Sequence, residues 1–245
     1  MIVVRSVLFN LAFYGWTLAM VVLCAPALVL RRAASVRAMA IWAKGVNWLL
    51  RRLVGIAIEI RGRESLPSGA CIVASAHQSA WDTLIYHVVF GDPAMVMKRE
   101  LMLIPIYGWY ARKTGMIPVD RKGGGAALRV MLRAARAAAQ AGRSIVIFPQ
   151  GTRVAPGVAA PLLPGIAALY RDLDLPVVPV ALNSGLFWPR RRFLRQPGRI
   201  LLEFQSPIAP GLGRDEFIAE LAHRIDTANA RLLSEGRGMA GEVRR

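Results

Sequence analysis

The sequence predicts an α/β fold: a mixed, mostly parallel sheet flanked by helices, preceded by an N-terminal hydrophobic membrane anchor. Three observations carry this expectation. Short apolar runs of strand length alternate with segments of helical periodicity from residue 55 onward. Ser6–Leu30 contains no charged residue, and crossing a bilayer takes about 20 apolar residues. Hydrophobic residues make up 55% of the 245-residue chain and charged residues 19%, rich for a soluble protein but poor for a multi-span transporter.

The elements follow in order. Arg5 precedes the apolar N-terminal run, and Arg31, Arg32, Arg37 and Lys44 follow it, a bias that keeps this end and the domain after it in the cytoplasm. A cleavable signal peptide is the competing reading, helped by Ala25-Pro26-Ala27 and opposed by the length of the run. Ala38–Ile58 mixes Trp42 and Trp48 with Lys44, Arg51 and Arg52, the composition of a helix at the lipid headgroups or of an ordinary core helix.

Strands are expected at Ile56–Ile60, Cys71–Ala76, Ala94–Met97, Met116–Val119, Ser144–Phe148, Val177–Leu182 and Ile200–Phe204. Helices are expected at Thr83–Phe90, Glu100–Lys113, Ala126–Ala141, Ile166–Leu173 and Asp215–Leu233. Gly123-Gly124-Gly125 opens the third of these and Gly142 stops it. No lysine-serine or lysine-threonine pair follows the triple glycine, so it reads as a helix entry and not as a phosphate loop. The organisation is then residues 1–54 as membrane anchor and interfacial helix, 55–235 as the catalytic domain, and 236–245 as a flexible basic tail.

The net charge of +17 attracts something anionic. Zinc-finger spacing, aromatic RNA-binding motifs and a zipper-type basic helix are all missing, so nucleic acid is not the expected partner. Anionic membrane lipid and a phosphorylated substrate fit better, with Arg190–Arg192 read as solvated surface. Two cysteines, Cys24 and Cys71, and three histidines form no ligand cluster. Neither a disulfide nor a catalytic metal is expected, and no cofactor.

His77 and Asp82 stand directly behind an apolar strand. Inside one helix, five residues at about 100° each would set them roughly 140° apart. With His77 on the turn and Ser79 as N-cap, Asp82 occupies the third helical position and reaches back. Ser79-Ala80-Trp81-Asp82 also fits a capping box, in which the acid merely satisfies backbone N–H groups. The chemical alternative makes His77 a general base whose second ring nitrogen donates to Asp82.

Further blocks follow other strands. Gly115–Arg121 places Arg121 past a strand end, and Phe148-Pro149-Gln150-Gly151-Thr152-Arg153 does so for Arg153, with Gly151 allowing close backbone approach to an anion. In an α/β sheet, sites gather at the carboxyl ends of strands. Two guanidinium groups there would hold a phosphate and bring a neighbouring hydroxyl to His77. Surface arginines at strand ends are the plainer alternative. Lys98 follows a strand in the same way and reads equally as phosphate contact or solvated cation.

With Val178-Pro179-Val180-Ala181, these blocks closely resemble the glycerolipid acyltransferase family, over about residues 55 to 210. The resemblance implies the glycerol-3-phosphate acyltransferase-like fold. It further implies acyl transfer from acyl-CoA or acyl-carrier protein to the sn-2 hydroxyl of lysophosphatidic acid, forming phosphatidic acid at the inner (cytoplasmic) membrane. His77 and Asp82 would be catalytic, while Arg121, Arg153 and Lys98 would bind phosphate in a pocket shaped by Gly151 and Thr152. Two departures stand out: Gln150 where the family usually has glutamate, and Ala76 where it often has asparagine. The alternatives are acylation of another lysolipid, such as lyso-ornithine lipid or a lysophospholipid, and a non-catalytic basic membrane-binding protein.

Overall fold

The computed structural model describes residues 1–242. Strands β1 (Ile56–Arg61), β2 (Ile72–Ser75), β3 (Ala94–Lys98), β4 (Ile117–Val119), β5 (Ile145–Ile147), β6 (Val177–Leu182) and β7 (Gly198–Phe204) build one sheet in the order β1-β7-β6-β2-β5-β3-β4. Every neighbouring pair is parallel except β6 and β7. The mixed, mostly parallel sheet is therefore as expected. Strands β2, β5 and β6 are buried at every position, which is why they read as unbroken apolar runs and not as alternating ones.

Helices α1 (Ile2–Leu23), α2 (Arg32–Leu49), α3 (Trp81–Val89), α4 (Tyr107–Lys113), α5 (Gly124–Gln140), α6 (Gly165–Leu173) and α7 (Arg214–Glu242) cover the two faces. Successive strand residues point to opposite sides. Val73, Val146 and Val178 thus join the core under the first four helices, while Ile72, Ile145 and Val177 join the core under the last three.

Most boundaries shift by one or two residues, and four segments differ by more, each for a physical reason. The apolar run Ser6–Leu30 is not one helix: α1 ends at Leu23, and Pro26 enters a 3-10 turn over Ala25–Leu28. Glu100–Lys113 is split by Pro105, with a 3-10 turn at Arg99–Leu103, Ile106 at φ 65°, and helix only from Tyr107. Ala38–Ile58 is helix to Leu49, a π-turn over Leu50–Val54, a left-handed Gly55 at φ 82°, then strand. Finally, α7 continues past Leu233 to Glu242, so residues 236–242 of the expected tail are helical. The tail's last three positions lie outside the described residues.

The first 54 residues share a core with the domain that follows. Phe9 and Val46 are fully buried in the same cluster as Val178 and Ile200. Near its start, α1 is held where Ser6 Oγ accepts the Arg195 N–H at 3.0 Å and Phe9 packs edge-on against Trp188. Beyond its other end, Tyr110 donates its hydroxyl to the Cys24 carbonyl and Lys113 donates to that of Leu28. Helix α1 therefore lies along the domain. Its outer face exposes Leu11, Tyr14, Leu18 and Val22, and it is long and apolar enough to cross a membrane. Helix α2 packs as a core helix on one side, burying Met39, Ala43 and Val46, while Ile41 and Trp48 stay more than half exposed on the other.

Candidate active site

Strands β2 to β6 run parallel to one another, so the segments that follow them emerge at one edge. His77 stands two residues past β2, Lys98 ends β3, Arg121 stands two past β4, and Phe148–Arg153 follows β5. His77, Lys98, Arg121, Gly151, Thr152 and Arg153 line a single cavity of about 720 Å³. Met39, Trp42, Met95 and Met97 supply apolar wall to the same cavity.

His77 Nδ1 lies 2.9 Å from Asp82 Oδ2. A carboxylate only accepts, so the proton of the neutral ring sits on Nδ1 and the Nε2 lone pair is free. The Asp82 side chain is fully buried, and three further groups hold it: the Gln78 N–H at 2.6 Å, the Ser79 N–H at 2.7 Å and the Ser184 hydroxyl at 2.5 Å. Helix α3 begins at Trp81, one residue later than a Ser79 cap would have it, although Ser79 Oγ still accepts the Trp81 N–H. The capping and histidine-orienting roles, set against each other in the sequence, are both present on one carboxylate.

The segment after β5 clamps His77. The His77 N–H donates to Gln150 Oε1 at 3.2 Å, the His77 carbonyl accepts the Val154 N–H at 2.7 Å, and the imidazole stacks on Phe148 with centroids 4.1 Å apart. The Gln150 contact asks only for an acceptor oxygen, which an amide supplies as well as a carboxylate. Gly151 adopts φ 67°, and a Cβ there would come within 2.3 Å of Leu163 Cδ1. Arg121 Cζ lies 3.9 Å from the same point, at ordinary contact distance, so a side chain at Gly151 would clash with Leu163 and sit against the guanidinium.

Burial lowers the Arg153 pKa from its ordinary value; Asp82 opposes the shift and Arg190 adds to it. Lys98 differs: about half exposed, it pairs with Glu100 at 3.1 Å, which offsets its charge at the cavity wall. His87, buried beside the apolar lining, is pushed down to about 4 by desolvation, with Asp92 opposing the shift. It stays a neutral wall.

Sequence reasoning missed Ser184 because it follows β6, 102 residues from the carboxylate it binds. Its one signal was a hydroxyl just past the Val178–Ala181 block. Arg190 and Arg191, read there as solvated surface, are exposed but line the cavity. Their run of charge gave no hint of where the link between β6 and β7 would place them.

Fold and site together define an acyltransferase. The acyltransferase family model matches residues 57–183, and the chain belongs to this family. It is 32% identical over 198 residues to a 1-acyl-sn-glycerol-3-phosphate acyltransferase from Pseudomonas aeruginosa, covering 79% of this chain and 76% of that protein. It is 30% identical over 238 residues to the Homo sapiens protein named 1-acyl-sn-glycerol-3-phosphate acyltransferase alpha, covering 94% of this chain and 83% of the relative. The crystal structure of the 1-acyl-sn-glycerophosphate (LPA) acyltransferase PlsC from Thermotoga maritima has the same fold. Its TM-score is 0.74 at 21% identity, with 95% of this chain and 99% of that one covered.

Proposed function

We propose that the chain is a 1-acylglycerol-3-phosphate acyltransferase. It moves a fatty acyl group from an acyl-CoA or acyl-carrier-protein thioester to the sn-2 hydroxyl of lysophosphatidic acid, giving phosphatidic acid. The observation that carries this reading is the shared cavity. A histidine with a free Nε2, two guanidinium groups and an apolar wall meet there, matching in turn the hydroxyl, phosphate and chain of a lysolipid.

His77 Nε2 takes the proton of the hydroxyl as its oxygen attacks the thioester carbonyl, and Asp82 stabilises the imidazolium that forms. The tetrahedral intermediate collapses, the C–S bond breaks, and the leaving thiolate takes the proton back from His77. Arg121 and Arg153 hold the phosphate by charge-assisted hydrogen bonds. Gly151 and Thr152 shape its seat, and Lys98 stands further out with Glu100.

Helix α1 lies within the cytoplasmic leaflet of the inner membrane, with the catalytic domain on the cytoplasmic side. Support comes from its attachment near its start and beyond its C-terminal end, its exposed leucines and the cations that follow it. Not all of those cations face lipid: Arg32 binds Asp92 through two 2.7 Å hydrogen bonds.

The test is turnover of labelled acyl-CoA with lysophosphatidic acid by the protein in lipid vesicles. Phosphatidic acid should form, and His77→Ala should abolish it while vesicle binding persists. Acylation of a different lysolipid alone would show the acceptor assignment wrong. Full activity of His77→Ala would show the base assignment wrong.

A further inference from the structure

The link between β6 and β7 carries two arginines into the cavity. Arg190 Nη1 donates to the Arg153 carbonyl at 2.9 Å, and Arg190 and Arg191 both share the lining with His77 and Arg153. Some arginines elsewhere pair with carboxylates, as Arg32 does with Asp92, Arg61 with Glu235 and Arg199 with Glu59, while others among the described residues, such as Arg129 and Arg133, do not. What sets the cavity apart is that four guanidinium groups line one space. Among the described residues, Arg121, Arg153, Arg190 and Arg191 form no such pair. Four guanidinium groups around one cavity, none in an ion pair, outnumber the carboxylates close by, Asp120 in the lining and the buried Asp82, and such an excess is complementary to a ligand of more than one negative charge.

The turn presenting these residues is braced. Arg191 is held at φ 55°, a conformation that is uncommon for a non-glycine residue and costs on the order of 1 kcal/mol or more. The turn is closed by Arg192 N–H to the Pro189 carbonyl at 3.5 Å and, at its base, by Gln196 N–H to the Phe187 carbonyl at 2.9 Å. Arg195 then wedges its guanidinium over the Phe9 and Trp188 rings, at 5.2 and 5.0 Å from their centroids.

We propose that Arg190, supported by Arg191, is a specificity-determining residue. It places a third guanidinium on the acceptor's phosphate and so selects a phosphomonoester over a phosphodiester. The proposal rests on the acyltransfer reading above. A phosphomonoester offers three terminal oxygens and nearly two charges, enough for three arginines, whereas a diester offers two oxygens and one charge.

The experiment uses full-length protein in vesicles, with kcat and KM measured for 1-acylglycerol 3-phosphate and for 1-acylglycerol 3-phosphoglycerol. Arg190→Gln should raise KM for the monoester about tenfold or more, with kcat within about twofold and the diester little changed; Arg190→Lys should recover part of the loss. Equal losses on both acceptors, or a fall in kcat alone, would overturn the proposal in favour of a loop brace. Arg191→Gln, which leaves the bond to the Arg153 carbonyl in place, should lower the same selectivity. If Arg190→Gln does not fold, unchanged selectivity in Arg191→Gln overturns the proposal.

A second readout needs no turnover. Glycerol 3-phosphate should raise the melting temperature of the wild-type protein and not that of Arg190→Gln. An equal rise in both, or none in either, removes the phosphate role. Failure of the wild type to acylate lysophosphatidic acid would instead remove the acyltransfer reading.

Discussion

Ser184 donates its hydroxyl to Asp82 Oδ1 at 2.5 Å, so the carboxylate oxygen that does not face His77 is held from the far end of β6. Removing this donor leaves a fully buried carboxylate oxygen unpartnered. Ser184→Ala should therefore cost about 1–3 kcal/mol of stability, read by denaturant unfolding. Turnover should fall about tenfold, far less than in His77→Ala, because the Nδ1 bond survives. Activity equal to wild type would show that Ser184 does not position Asp82.

Gln150 accepts the His77 N–H. Gln150→Glu keeps an acceptor there and should leave turnover within about threefold, whereas Gln150→Ala strands the N–H and should cost about 1–3 kcal/mol. Kinetics and melting temperature for the two variants side by side decide the matter. A large gain for the glutamate would mean that the residue acts through its charge.

His87 gives a stability–pH prediction. Its folded pKa of about 4 lies below its ordinary 6.5, so between those values the unfolded chain binds more protons than the folded one. Stability should rise with pH across this window and be lost progressively as pH falls from about 6.5 to 4, by up to about 3 kcal/mol in total. Urea unfolding of His87→Phe should show a flatter profile across the same range. An unchanged slope would place the titration elsewhere.

Helix α1 should show two separable roles. Phe9 is fully buried against Trp188, and Phe9→Ala should cost about 3–5 kcal/mol. Leu11 and Leu18 are 68% and 65% exposed; aspartate at either should change stability by less than about 0.5 kcal/mol yet weaken sedimentation with anionic vesicles. Loss of stability in the leucine variants would mean that their face packs on protein.

Much of this was legible in the sequence because local signals and burial agreed. All seven strands formed where apolar runs were bounded by turn residues, and β6 matched to the residue. His77, Arg121 and Arg153 were readable because each follows a parallel strand, and strand direction alone brings them to one edge. Ser184 and Arg190 were not readable. Their partners, Asp82 and the Arg153 carbonyl, are met only through strand order in the sheet, and neither residue has a local pattern that announces a contact. The expected Glu100–Lys113 helix fails at Pro105, which disfavours helical backbone at Ile104 and, inside the expected span, offers no N–H to a continuous ladder.

The arginines around the cavity also bear on how a catalytic cycle ends. Acylation at the sn-2 oxygen leaves the phosphate untouched, so on the proposed reading these guanidinium groups grip phosphatidic acid as firmly as its precursor. Charge offers no push toward departure; the second acyl chain, drawn into the surrounding lipid, has to supply it. Inhibition by accumulated product should accordingly be strongest where the lipid phase is scarce.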